Sequence, residues 1–214
     1  MKPVPRQHIT ELRRFALVST VASLICVGFV TSKANAQTIG SSYTSTAPKD
    51  CRVTGARNGV DDSTIRLCSG KAGLVVLIAE DDLRETVSVG RNRVTAAKEP
   101  AARAWFGPFN SSATTVEWRA LDGKPFAIIQ RWHIADNADP DKDGRPIAKP
   151  MLVVTRLPPG EVCHVAYVDA QANFDANGLA RKAADEIARG FKCGTDSVKI
   201  IGESGRAVDL AQRR

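Results

Sequence analysis

Histidine is scarce in this 214-residue chain, which contains three, and no two cysteines stand in a C-x-x-C pair. A structural zinc site needs four Cys or His ligands at short spacings, so the sequence predicts none. A nucleophile elbow is missing too, because its nearest approach, Gly202-Glu203-Ser204-Gly205, lacks the G-x-S-x-G spacing. We therefore expect no cofactor and find no catalytic motif.

The chain also lacks an apolar run of roughly 20 residues, the length that a membrane-spanning helix needs. The main apolar run, residues 15–30, follows a basic segment and precedes Ala34-Asn35-Ala36. That order is typical of a signal peptide cleaved before Gln37. We predict that 1–36 is removed and that the protein is periplasmic or secreted, with no stable membrane insertion afterwards. An uncleaved anchor and a twin-arginine signal at Arg13-Arg14 are the alternatives.

Basic stretches interleaved with aromatic residues are absent, so we expect no nucleic-acid partner. The net charge of +7 is concentrated at the N terminus, where 1–36 holds five basic residues and one acidic residue. That segment accounts for four of the seven net charges, and the remaining chain carries +3.

Four cysteines follow the signal segment, an even number that predicts disulfides in an oxidising compartment. Four cysteines allow three pairings. We predict Cys51–Cys68 and Cys163–Cys193, because the members of each pair are close in sequence and enclose one supersecondary unit.

Composition divides the rest of the chain into three parts. Residues 37–49 are rich in Ser and Thr and predict a flexible leader. Residues 50–202 predict one α+β domain, with an antiparallel sheet of about six strands, curved or partly closed, and a helix over 177–189 packed on it. Residues 136–150 predict a polar loop, and residues 203–214 a polar, frayed tail.

The clearest local signal is Asp122-Gly123 between two β-type runs, which predicts a hairpin with a type I′ turn. The predicted cross-strand partners are Leu121 with Lys124, Ala120 with Pro125, Trp118 with Ala127, and Val116 with Ile129.

Three sets of residues are candidates for function. Trp105, Phe106 and Phe109 form an aromatic loop that can either bind a partner or plug the end of the sheet. His133 and His164 lie on predicted strands and would form a catalytic pair if those strands were neighbours. Asp139, Asp141 and Asp143 have the alternating spacing of a Ca²⁺ loop, but the closing Glu of such loops is replaced by Pro150.

The segments 46–51 (TAPKDC), 105–109 (WFGPF) and 126–132 (FAIIQRW) resemble those of uncharacterised exported proteins of Gram-negative bacteria. The resemblance covers most of the chain after 1–36 and implies no activity. We expect a non-enzymatic binding or inhibitor-like module with an unknown envelope protein or polymer as its partner. The alternatives are a small periplasmic enzyme that uses His133 and His164, and an envelope protein stabilised by Ca²⁺.

Overall fold

The computed structural model describes residues 37–53 and 64–212. The predicted signal peptide therefore lies outside the described residues. Ten strands are present in the described part: β1 Ile39–Ser45, β2 Cys51–Val53, β3 Thr64–Ser69, β4 Val75–Asp81, β5 Arg84–Gly90, β6 Asn110–Leu121, β7 Lys124–Pro140, β8 Pro146–Arg156, β9 His164–Asp169 and β10 Lys199–Ile200.

All ten strands belong to one mixed sheet, with the order β10-β9-β8-β7-β6-β5-β4-β3-β2 and with β1 paired to β6. Antiparallel pairing dominates, and the parallel pairs are β9 with β10 and one contact between β5 and β6. The prediction of about six antiparallel strands was right in class but too low in number. The sheet is curved but does not close into a barrel.

Three helices are described: α1 Arg93–Lys98, α2 Ala176–Ala183, which continues as a π-helical turn over Ala184–Ala188, and α3 Arg206–Gln212. Short 3₁₀ turns cover Pro48–Asp50 and Pro100–Arg103.

The predicted helix over 177–189 is confirmed as α2 with its π-helical turn. Asp175 caps it, because the Gly178 N–H donates to the Asp175 carboxylate at 3.0 Å. Gly190, directly after the predicted helix, does not have a positive φ, whereas Gly194 has φ 76°. The side chains that the helix buries most fully are small ones: Ala176, Ala180, Ala183, Ala184 and Ala188.

The sheet bends enough to bring distant strands into one core. Three strands lie between β4, with Val76, and β8, with Val153, yet both residues belong to the same buried cluster, together with Trp118 and Trp132. The opposite face of β7, β8 and β9 packs against the alanine face of α2 as a second cluster. The curved sheet therefore has a core on each side.

The central hairpin confirms the predicted turn and shifts the predicted register. Asp122 and Gly123 have φ of 49° and 78°, as a type I′ turn requires. Leu121 pairs with Lys124 and Ala120 with Pro125, as predicted. A bulge after Arg119 then moves the remaining partners by one residue, so that Trp118 faces Ile128 and Val116 faces Gln130. A bulge adds one unpaired residue to a strand and increases its twist, which suits the bend of this sheet.

Three segments predicted to be irregular are ordered elements. Within 37–49, β1 pairs along its whole length with 115–121 of β6. Within 136–150, β7 and β8 extend the sheet and leave only a short turn between Pro140 and Pro146. Within 203–214, α3 buries Val208 and Leu210 in the core. These predictions were wrong because each segment is too polar or too short to show the regular spacing of apolar residues that indicates a strand or a helix.

Both predicted disulfides are confirmed. Cys51 faces Cys68 across β2 and β3, and Cys163 is bonded to Cys193 beyond the end of α2.

Among the described helices, none combines the length and the apolarity that a bilayer crossing demands.

Candidate functional site

An open groove of about 750 Å³ lies between the β4–β5 turn and the aromatic loop at 105–109. We call it the Trp105 groove. Its lining residues are Asp81, Asp82, Arg84, Thr86, Arg103, Trp105 and Gly107.

The β4–β5 turn reaches the aromatic loop because it is very tight. Asp82 and Leu83 have φ of 49° and 57°, so the chain reverses within two residues and Arg84 starts β5 directly. The Arg84 Nε–H donates to the Gly107 carbonyl at 2.8 Å, and the Arg84 guanidinium lies 4.8 Å from the centre of the Phe109 ring. One side chain therefore fixes the turn to the loop.

Asn110 holds the other end of the aromatic loop. Its side-chain oxygen accepts the Glu85 N–H at 3.1 Å, and its amide NH₂ donates to the Pro108 carbonyl at 2.9 Å. Its backbone N–H donates to the Leu83 carbonyl at 3.0 Å. With both ends hydrogen-bonded to the β4–β5 hairpin, the loop is a preformed part of the fold.

The three aromatic residues of this loop lie in different environments. Phe106 is 2% exposed and contacts the rings of Trp132 and Tyr167 in the core. Trp105 is 54% exposed and lines the groove, and Phe109 is 38% exposed under Arg84. Phe106 is therefore part of the buried core, and Trp105 is the aromatic residue that a ligand in the groove would contact.

The rim of the groove carries charges of both signs. Asp82 is 77% exposed while it pairs with Arg84, and Arg103 is exposed on the 3₁₀ turn before the loop. In the sequence, the acidic run 80–82 shows only the polarity of a turn, and nothing marks Arg84 or Arg103 as groove residues. Arg103 is only two residues before Trp105, whereas no local pattern joins Arg84 to the loop, since the packing of the β4–β5 turn brings the two together.

His133 and His164 are not brought together. His133 faces Pro150 across β7 and β8, whereas His164 faces Thr155 across β8 and β9. Five residues of β8 separate these partners, or about 16 Å at the rise of a strand. His164 lies 6.5 Å from the Trp132 ring, and His133, being next to Trp132 in β7, points to the opposite face.

His164 is buried within an aromatic cluster. Its ring lies 5.8 Å from Phe106 and 5.7 Å from Tyr167, and its Nδ1 is 3.0 Å from the Tyr167 hydroxyl. Burial lowers the pKa of His164 to about 4, because the charged ring would lose its hydration. His164 is thus neutral at physiological pH and part of the support beneath the aromatic loop.

Asp139, Asp141 and Asp143 lie at the β7–β8 turn, and each carboxylate has a partner within the protein. Asp139 pairs with Lys149, and Asp141 and Asp143 pair with Arg145. Asp141 also accepts the backbone N–H groups of Asp143 and Arg145. Over 37–53 and 64–212, no group of three acidic, His or Cys side chains is arranged to hold a metal ion.

Comparison of the chain with protein-family models, with curated proteins and with solved structures finds no match. The resemblance to exported proteins of Gram-negative bacteria stays a prediction.

Proposed function

We propose that this protein is an exported, non-enzymatic binding module that holds a polymer of the cell envelope in the Trp105 groove. The observation that carries the proposal is the half-exposed Trp105 ring, presented on a loop that Arg84 and Asn110 hold in place.

A preformed site binds more tightly than a flexible one, because little conformational entropy is lost when the ligand arrives. An indole ring offers a large, flat apolar surface at such a site. Around it, Asp81 and Asp82 can accept hydrogen bonds and Arg103 can donate them. A ring with an apolar face and a rim of hydroxyl groups fits that arrangement, so we propose a polysaccharide as the ligand.

Export is supported by the two disulfides, since such bonds persist in oxidising compartments and are rare in a reducing cytoplasm. The four bonded cysteines are those that remain after cleavage before Gln37. Intact-mass measurement on the protein from its host should give a chain that starts at Gln37 and has no reactive thiols. A chain that keeps Met1, or four thiols that react with an alkylating reagent, would show that the export prediction is wrong.

The binding proposal can be tested by co-sedimentation of the purified protein with isolated peptidoglycan sacculi. We expect Trp105→Ala to weaken binding at least tenfold, because truncating an aromatic anchor costs about 2 kcal/mol or more. Phe174→Ala is the matched control, because Phe174 is a fully exposed aromatic residue outside the groove lining. Equal binding by the two variants would exclude Trp105 as the anchor.

Fluorescence gives a second reading of the same site. Trp118 and Trp132 are buried, so Trp105 is the exposed fluorophore of the three tryptophans. Soluble peptidoglycan fragments should change the tryptophan emission of the wild-type protein and leave the emission of the Trp105→Phe variant unchanged. An equal change in both proteins would place the ligand elsewhere.

A further inference from the structure

A second cavity, of about 440 Å³, lies beside the turn of the central β6–β7 hairpin. The β6–β7 turn, the loop after β8 and the end of the π-helical turn enclose it. Its apolar wall includes Leu121, Phe126 and Leu157. The Leu157 N–H donates to the Phe126 carbonyl at 2.9 Å, which joins the residue after β8 to the start of β7.

Positive charge predominates in this cavity. Lys124, Arg156 and Arg189 line it together with one carboxylate, that of Asp122. Asp122 already accepts the Thr38 N–H at 2.9 Å. Among the described residues, neither guanidinium has an acidic partner: Arg189 lies 5.5 Å from the Phe126 ring, and Arg156 donates to the Pro159 carbonyl at 2.7 Å.

The Arg156 side chain also carries an unused donor. Its Nε–H is buried and has no hydrogen-bond partner among the described residues. A buried N–H without an acceptor destabilises the folded state, and such groups usually meet a protein, water or ligand acceptor. The Arg156 guanidinium lies against Gly160, where an added Cβ would be 3.1 Å from Nη1.

The Cys163–Cys193 disulfide lies close in the chain to both arginines. The Arg156 N–H donates to the Cys163 carbonyl at 3.0 Å, and Cys193 follows Arg189 by four residues. A backbone hydrogen bond and a disulfide therefore connect the end of β8 to the segment that carries Arg189.

From these contacts we infer a second binding site, independent of the Trp105 groove, for an amphipathic carboxylic acid. The carboxylate pairs with Arg156 and Arg189, because guanidinium groups bind carboxylates with two parallel hydrogen bonds. The apolar body lies against Phe126, Leu121 and Leu157. A peptide fits less well, because its backbone N–H and C=O groups would need partners along an apolar wall.

Titration of the purified protein with sodium octanoate, followed by NMR chemical shifts, tests the site. We expect saturable binding, with octanol and acetate each binding at least tenfold more weakly, since the first lacks the charge and the second the apolar body. Octanol or acetate binding as tightly as octanoate, or an absence of saturable octanoate binding, would overturn the inference.

Charge variants identify the cations. Arg189→Gln and Arg156→Gln should each weaken octanoate binding about tenfold, the loss expected for one charge-assisted hydrogen bond. Arg189 is exposed, so Arg189→Gln leaves the core intact if Arg156→Gln fails to fold. Arg145→Gln, at the exposed β7–β8 turn, is the charge-matched control. Arg189→Gln binding as well as Arg145→Gln would refute the role of the guanidinium groups. Trp105→Ala should bind octanoate normally, which separates this site from the proposed polymer groove.

Discussion

At the scale of single residues, His164 shows how burial sets a charge state. His164 is 4% exposed and lies among the rings of Phe106, Trp132 and Tyr167, with its Nδ1 3.0 Å from the Tyr167 hydroxyl. With no carboxylate among these contacts to stabilise the imidazolium, the cost of dehydration dominates and the pKa falls.

This lowered pKa predicts that the protein loses stability in mild acid. The pKa of His164 is about 4 in the folded state against 6.5 for a free side chain. Below pH 6.5 the unfolded chain therefore binds the proton first, and stability falls as the pH drops from 6.5 toward 4. At about 1.4 kcal/mol for each pKa unit, the loss approaches roughly 3 kcal/mol. Urea unfolding at a series of pH values measures it.

The control is His164→Gln, which keeps hydrogen-bonding capacity but does not titrate. Its unfolding free energy should fall less steeply than that of the wild type between pH 6.5 and 4. Parallel slopes for the two proteins would mean that another group controls the acid sensitivity.

At the scale of elements, the central hairpin shows what a local signal can and cannot specify. Asp122-Gly123 predicts the turn, because both residues need positive φ and few residues tolerate it. The bulge after Arg119 has no such signal. Its effect is to place Trp118 opposite Ile128, while the Trp118 Nε1–H donates to the Thr44 hydroxyl of β1 at 2.8 Å.

The turn predicts a cost for Gly123→Ala. An added Cβ at Gly123 would meet no atom within 4 Å, so the cost comes only from φ 78°. A left-handed L-residue costs about 1 kcal/mol or more. The midpoint of urea unfolding should decrease accordingly.

Gly40→Ala is the matched control, because Gly40 also has open space around it but no positive φ. We expect a change between zero and a stabilisation of about 0.5 kcal/mol, since glycine is the more flexible residue in the unfolded chain. An equal decrease in the free energy of unfolding of both variants would contradict the view that the positive φ of the turn causes the loss at Gly123.

At the scale of the whole molecule, the disulfides join segments near the two ends of the described chain to the sheet. Cys51–Cys68 closes a loop of 17 residues and Cys163–Cys193 one of 30. A cross-link stabilises the fold chiefly by restricting the unfolded chain, and more so for the longer loop.

Removing either disulfide should lower the free energy of unfolding by about 3 kcal/mol, and removing the second, which closes the longer loop, should lower it more. The two double variants are Cys51→Ala with Cys68→Ala, and Cys163→Ala with Cys193→Ala. Denaturant unfolding under oxidising conditions measures both. The reduced wild-type protein should be less stable than either variant, because it lacks both bonds. A second variant as stable as the wild type would show that this disulfide does not restrain the unfolded chain.

The sequence by itself determined the features that depend on neighbouring residues. These are the hairpin turn at Asp122-Gly123, the helix after Asp175 and the pairing of cysteines that are close in the chain. Each depends on a local backbone preference or on a short loop, which a few residues are enough to specify.

Only the tertiary structure decided the rest. The Ser/Thr-rich segment 37–49 contains β1 because β6, 70 to 82 residues further along the chain, pairs with it, with Thr44 opposite Val116, and not because of any apolar pattern. Likewise, the bending of the sheet places Arg84 beside the aromatic loop and keeps His133 and His164 on opposite faces. Contacts between distant segments depend on how the whole sheet packs, and no local period of the sequence records them.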